Sequence, residues 1–182
     1  MTIHLGRKAS REGWVSFETD PRLARTKERL YERCLPCLTA LYEQLKEGAG
    51  SIELTYAWEC WKVVALTRTY DECLEVLDRF QDAYPGEYVY GKIGKGGGGH
   101  ETFAVIFHTE GESRRDELHR MLSDVVRRWF PGRRVFVSRA CGDPYERLLG
   151  PWPTWRRVCP APDPATARQV RAKLRESLYG RS

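Results

Sequence analysis

The sequence predicts an α+β fold in which two helices pack against one antiparallel sheet. Three observations predict it: four strand-like runs, two amphipathic segments between them, and capping signals where the helices are expected to begin. The chain has 182 residues, of which 41% are hydrophobic and 30% are charged. This composition is ordinary for a globular protein that buries a core.

Residues 1–56 are predicted to form an N-terminal extension. Residues 2–6 and 14–18 are short strand-like runs, which we expect at the edge of a sheet. Asp20-Pro21 combines an N-cap with a first-turn proline, and the apolar residues after it recur at helical spacings. The sequence therefore predicts one long helix, which Pro36 is expected to kink because proline removes a backbone donor.

Residues 57–140 are predicted to form the central domain. Its four strands are expected at residues 61–66, 87–93, 102–108 and 134–138. Two capping boxes, Thr69-x-x-Glu72 and Ser113-x-x-Asp116, are expected to open its two helices. The resulting order, β-α-β-β-α-β, is the ferredoxin-like arrangement, in which both helices lie on one face of a four-stranded antiparallel sheet.

Residues 141–182 are predicted to form a proline-rich strap and a C-terminal helix that pack on this domain. Trp152 and Trp155 are expected to anchor the strap. Asp163-Pro164 is a capping signal for the last helix, whose apolar residues Val170, Leu174 and Leu178 lie on one face.

The connection at residues 91–100 is rich in glycine and carries positive charge. It formally satisfies G-x-G-x-x-G, but a strand rather than a helix is expected next, and no Gly-Lys-[Ser/Thr] closes it. Exposed amides of such a loop can bind an anion, although the same composition also fits a hairpin connection without a ligand. We predict a regulatory or small-molecule-binding module that binds an anion, for example a nucleotide, at Lys92, Lys95, Gly96, Gly97, Gly98, Gly99 and His100.

The central segment resembles the PII signalling proteins in its layout. Lys62-Val-Val-Ala-Leu66 resembles their first strand, and Gly99-His100-Glu101-Thr102 is similar to a Gly-His-Thr-Glu stretch in their ligand loop. PII-like proteins are trimers that bind adenine nucleotides, so the resemblance implies nucleotide phosphates near Lys92 and Lys95. The N-terminal helical segment departs from that family.

The same strand order also resembles the RNA-recognition motif, whose third strand carries aromatic residues that stack on bases. Phe103-Ala104-Val105-Ile106 is similar to part of that strand. Glu101-Thr102 replaces the basic residue and glycine of the motif, and Val105 stands where a stacking aromatic residue is expected.

The distribution of charge provides the alternative hypothesis. Residues 111–182 contain 16 Lys+Arg and 8 Asp+Glu, whereas residues 1–110 contain 14 and 17. A basic half of this kind attracts phosphates, although a solvated arginine-rich surface has the same composition. The alternative is therefore a protein that binds RNA or another nucleic acid through the C-terminal half, at Arg127, Arg128, Arg133 and Arg134.

The sequence leaves catalytic activity open, although it favours a protein that is not an enzyme. No Ser/His/Asp or Cys/His arrangement and no set of metal ligands follows from the spacing, so we assign no catalytic residue, metal or cofactor. Cys34 and Cys37 have a C-x-x-C spacing, but they lie in a helical pattern and are predicted to be buried thiols.

The chain is predicted to be cytoplasmic and to have no membrane partner. No apolar run approaches the roughly 20 residues of a membrane span, and the N-terminus lacks the apolar core of a signal peptide. We expect a homo-oligomer, because a ferredoxin-like sheet leaves one face that self-association would cover.

Overall fold

A computed structural model describes residues 3–6, 13–28, 34–95, 102–140 and 142–180. Within them the protein is a mixed α+β structure with a six-stranded antiparallel sheet, a second sheet of two strands, and six α-helices. The strands are β1 His4–Leu5, β2 Trp14–Glu18, β3 Ser51–Glu53, β4 Cys60–Thr67, β5 Tyr90–Lys95, β6 Phe103–Glu110, β7 Val135–Arg139 and β8 Val158–Pro160. The helices are α1 Ala24–Glu28, α2 Leu35–Glu47, α3 Tyr70–Ala83, α4 Glu112–Trp129, α5 Gly142–Leu149 and α6 Pro164–Tyr179.

The chain divides into two compact units. The sheet unit comprises Met1–Lys27 and Trp61–Ser138, and the helical unit comprises Glu28–Cys60 and Arg139–Ser182. This division differs from the three consecutive segments with boundaries at 56 and 140 that the sequence predicts. The reason is that β2 pairs with β5 inside the main sheet, whereas β3 pairs with β8, a strand that follows the whole central segment in sequence.

The large sheet has the strand order β1-β2-β5-β6-β4-β7. The four strands predicted for the central domain are present, and the two short N-terminal runs lie at one edge of the sheet, as predicted. Ser16 of β2 lies opposite Lys92 of β5, and Gly91 of β5 lies opposite Phe107 of β6. This register places three phenylalanines in the core of the unit: the ring of Phe107 packs 5.4 Å from Phe17 and 4.8 Å from Phe80 of α3.

Of the two capping boxes predicted at the starts of α3 and α4, only the first is correct. Thr69 is the N-cap of α3, and its side chain accepts a hydrogen bond from the Glu72 amide at 3.1 Å, as predicted. The predicted capping box at Ser113 is wrong, because α4 already begins at Glu112. Gly111, at φ 69°, turns the chain directly from β6 into that helix.

Glu72 also ties the start of α3 to the turn before β7. Arg133 Nε donates to Glu72 Oε1 at 2.6 Å, and the Arg68 amide donates to Glu72 Oε2 at 2.8 Å. Burial raises the pKa of the Glu72 carboxyl, but the hydrogen bonds from Arg133 and Arg68 outweigh it and hold the pKa below its ordinary value.

The ion pair between Glu72 and Arg133 is expected to make a pH-dependent contribution to stability. Because the pKa is lower in the folded chain, the contribution is present above the ordinary pKa of 4.5 and is lost as the pH falls through the folded-state value. We expect Arg133→Met to lower the free energy of unfolding by about 2 kcal/mol at neutral pH, between the values for exposed and buried pairs. Urea denaturation at neutral pH and near pH ~3 checks this, since the difference from wild type should shrink in acid. Arg134→Met is the matched control on the exposed neighbour, and an equal loss at both pH values would contradict the assignment.

The helical unit is built from α2, α5 and α6 around the β3–β8 ribbon. Cys37, Leu41 and Leu45 of α2 are buried against Val170 and Leu174 of α6 and the rest of this core. The Cys37 thiol is buried, as predicted, whereas Cys34 is only partly buried. Pro36 is the second residue of α2. The kink predicted there depends on the residues immediately before Cys34, which lie outside the described ranges.

The predicted start of the N-terminal helix at Asp20-Pro21 is wrong. Leu23 donates its amide to the Asp20 carbonyl in a turn, and α1 begins at Ala24. The predicted continuity of this helix between Glu28 and Cys34 lies outside the described residues.

Side-chain hydrogen bonds join the elements of the helical unit. Gln44 of α2 accepts from the Glu53 amide at 2.7 Å and donates to the Glu53 carbonyl at 3.1 Å, which fixes α2 against β3. Trp155 is buried, with its indole N–H donating to the Gly150 carbonyl at 2.8 Å. Asp163 caps α6 by accepting from the amides of Ala165 and Thr166, as its sequence predicts. None of the helices in the described residues is long and apolar enough to cross a lipid bilayer.

Candidate functional site

One side of α6 carries a row of arginines. Arg168, Arg171 and Arg175 follow one another at spacings of three and four, so they share one side of the helix. This row lies beside the buried stripe of Val170 and Leu174. Packing of the apolar stripe into the core therefore fixes which way the arginines point.

The helix α2 packs against α6, and some of its side chains face the row of arginines. Tyr42 and Lys46 are four residues apart on α2, and both line the space facing the arginines. The helix ends just beyond Lys46, where Gly48 adopts a left-handed conformation with φ 69°. Residues distant in sequence thus meet in one place because two amphipathic helices share a core.

The space between these helices is an open groove of about 540 Å³. It is lined by Tyr42, Lys46, Arg168, Arg171, Ala172, Arg175, Glu176 and Gly180. We call it the basic groove. Four cationic side chains and one carboxylate line it, so its charge favours an anion.

The arginines of the basic groove are not neutralised by their neighbours. Across the described part of the chain, the ion pairs within 4.0 Å do not include Arg168, Arg171 or Arg175. Lys46 does have a partner, because its ammonium lies 2.8 Å from Glu43. That hydrogen bond with Glu43 raises the pKa of Lys46, which therefore stays protonated at neutral pH.

A second cavity of about 310 Å³ adjoins the basic groove. Arg168 and Arg171 line both spaces, so they stand at the junction. The far walls of the second cavity are the turn after α2, including Gly48 and Gly50, and the segment before α6. A ligand that lies along α6 therefore has two adjoining spaces to occupy.

The predicted loop site is only partly described. Gly96, Gly97, Gly98, Gly99 and His100 lie outside the described residues. Lys92 and Lys95 both belong to β5, three positions apart, so they face opposite sides of the sheet. The Lys92 ammonium lies 4.4 Å from the centre of the Trp14 ring, which gives it a cation–π partner.

The sheet face that carries Lys92 does not present an open apolar surface. Val64, Ala104 and Ile106 form a cluster there and are 6%, 6% and 7% exposed. Beside them, burial and the positive charges of Lys62 and Lys92 lower the pKa of His108 to about 3. These positions lack the accessible aromatic platform of an RNA-recognition motif, and they give no support to the expectation that this face is left uncovered for self-association.

The four arginines of the alternative hypothesis lie in the sheet unit, and three of them have side-chain contacts there. Arg127 pairs with Asp124 at 2.7 Å, and Arg128 stacks 5.1 Å from the centre of the Trp129 ring. Arg133 is bound to Glu72, and Arg134 is exposed. Arg127 and Arg133 line one shallow groove of about 390 Å³, but both have carboxylate partners.

Sequence reasoning missed the basic groove. The signal on α6 is visible in the sequence, since Arg168, Arg171 and Arg175 repeat at helical spacing beside an apolar stripe. The contribution of Tyr42 and Lys46 is not visible, because it depends on which helix packs against α6.

Comparison of the chain with models of protein families, with curated proteins and with solved structures finds no match. Within the ranges the structure describes, no three His, Cys, Asp or Glu side chains are grouped so that they could hold a metal ion.

Proposed function

We propose that this protein is a binding module for a phosphate-bearing anion, and that the basic groove between α2 and α6 is its binding site. The observation that carries the proposal is the convergence of Lys46, Arg168, Arg171 and Arg175 on one groove of about 540 Å³. Arginine presents several N–H donors in a plane, which suits phosphate oxygens better than a single point charge does.

The anionic ligand is the class of ligand predicted from the sequence, but we propose a different place for it. The glycine connection at 91–100 remains a prediction, because its central residues lie outside those described. The basic groove is preferred because its cations share one surface, whereas Lys92 and Lys95 do not.

The alternative hypothesis of nucleic-acid binding at Arg127, Arg128, Arg133 and Arg134 also remains a prediction. Bound carboxylates partly cancel the charge of Arg127 and Arg133. The basic C-terminal half does contain Arg168, Arg171 and Arg175, so its excess charge is consistent with the site proposed in the helical unit.

We further propose that β4–β7, with α3 and α4, form a ferredoxin-like arrangement. The order β5-β6-β4-β7 within the large sheet supports it, as does the position of α3 and α4 after β4 and β6. A cytoplasmic location and a homo-oligomeric state remain predictions from the sequence.

Isothermal titration of the full chain with inorganic tripolyphosphate tests the proposed function. At low ionic strength we expect one equivalent to bind with micromolar affinity, because three arginines and Lys46 surround the phosphates. The matched variant Lys92→Gln/Lys95→Gln should bind equally well, since neither residue lines the groove. Absence of binding at millimolar tripolyphosphate, or loss of binding in this variant, would contradict the proposal.

A further inference from the structure

Two tyrosines stand at the end of the basic groove nearest the C-terminus. The rings of Tyr42 and Tyr179 lie 5.6 Å apart in an edge-to-face arrangement at 65°. Tyr42 lines the groove, and Tyr179 sits between the groove residues Glu176 and Gly180. Tyr179 is not itself a lining residue of the groove, but it is 62% exposed and is therefore accessible to a planar group at this end of it.

Tyr179 continues the arginine row of α6. It follows Arg175 by four residues, so it lies on the same side of the helix. From Arg168 to Tyr179 the helix rises roughly 16 Å, at 1.5 Å per residue. An aromatic ring at one end of a row of phosphate-binding cations matches a ligand in which an aromatic base is joined to phosphates.

The spacing of the cations favours a strand over a single nucleotide. The backbones of Arg168 and Arg175 are separated by about 10 Å along α6, so the three arginines together span more than one phosphate position. The second cavity, which Arg168 and Arg171 also line, adjoins this row of cations. A chain of phosphates therefore uses the site more fully than a mononucleotide does.

We propose that the basic groove binds single-stranded nucleic acid, with phosphates on Arg168, Arg171 and Arg175 and a base stacked on Tyr179. This inference rests on the proposed function of the groove and adds the chemical class of the ligand. Stacking on a tyrosine ring is tolerant of sequence, since every base has an aromatic face. Binding is accordingly expected to depend on the presence of bases more than on their order.

The test compares three probes with the full chain: a labelled single strand with bases, the same strand with abasic sites, and inorganic tripolyphosphate. We expect wild type to bind the base-bearing strand about tenfold more tightly than the abasic strand. Tyr179→Leu should remove that difference while leaving the affinities for the abasic strand and tripolyphosphate unchanged. Tyr179→Phe keeps the ring and should keep the difference. The unchanged affinities of Tyr179→Leu for the abasic strand and tripolyphosphate separate stacking from a structural role of this residue.

The outcomes separate this inference from the proposed function. Equal affinity for the two strands, with tripolyphosphate still bound, overturns the stacking inference and leaves the phosphate site standing. A mononucleotide is added as a further probe, and the choice of a strand is overturned if it binds as tightly as the base-bearing strand. Failure of all three probes to bind overturns the phosphate site as well. Ribose and deoxyribose versions of the strand identify which nucleic acid is preferred.

Discussion

Replacing Arg171 and Arg175 together by glutamate is expected to lower the affinity for tripolyphosphate by about a hundredfold at low ionic strength. Each change removes an attraction and adds a repulsion within a single groove, so the electrostatic effects of the two substitutions act in the same direction. The measurement is a calorimetric titration of both proteins at two salt concentrations. The variant should also show a weaker dependence of affinity on salt, because fewer phosphate contacts remain.

The matched control is Arg156→Glu/Arg157→Glu. These two arginines are exposed residues of the same helical unit, they do not line the basic groove, and their replacement changes the net charge by the same amount. Circular dichroism of both variants verifies that α6 remains helical. If the control loses as much affinity as the groove variant, binding reflects net charge alone and the groove is not the site.

Gly91→Ala is expected to destabilise the sheet unit by about 3 kcal/mol or to prevent its folding. A Cβ at this position would lie 1.8 Å from the backbone oxygen of Ile106 and 3.0 Å from Phe17 Cζ. The first of these atoms belongs to β6, so it cannot move without disturbing the β5–β6 pairing. Chemical denaturation of the variant measures the loss.

Gly86→Ala provides the comparison for this substitution. Gly86 lies in the turn after α3, and a Cβ there has no atom of the described residues within 4 Å. We expect its stability to stay within about 0.5 kcal/mol of wild type. Equal stability of the two alanine variants would mean that β5 and β6 do not pair in the register described.

The sequence correctly predicted those helices and strands that depend on residues close together in the chain. Thr69 and Asp163 were identified as helix caps because their side chains bond amides two or three residues away. The strand-like runs at residues 61–66, 87–93, 102–108 and 134–138 likewise placed the central strands. The helix start predicted at Ser113 was wrong because Gly111, two residues before it, already turns the chain into α4.

These local signals do not predict which strands pair when the strands are far apart in the sequence. The sequence places residues 14–18 at a sheet edge, but it does not say that β2 pairs with β5 or that β3 pairs with β8. Those pairings determine how the chain divides into two units. They therefore also determine that α2 packs beside α6. The candidate site depends on this packing of α2 against α6, which the sequence does not reveal. The site was therefore predicted at the glycine-rich residues 91–100 and not at Arg168, Arg171 and Arg175.

The most direct measurement is a heteronuclear NMR titration of the full chain with tripolyphosphate. We expect the amide signals that move to belong to the end of α2 and the turn after it, residues 42–50, and to α6, residues 164–180. Signals of residues 90–103 should stay in place. Shifts confined to residues 90–103, or no shifts at saturating ligand, would contradict the assignment of the phosphate site to the basic groove.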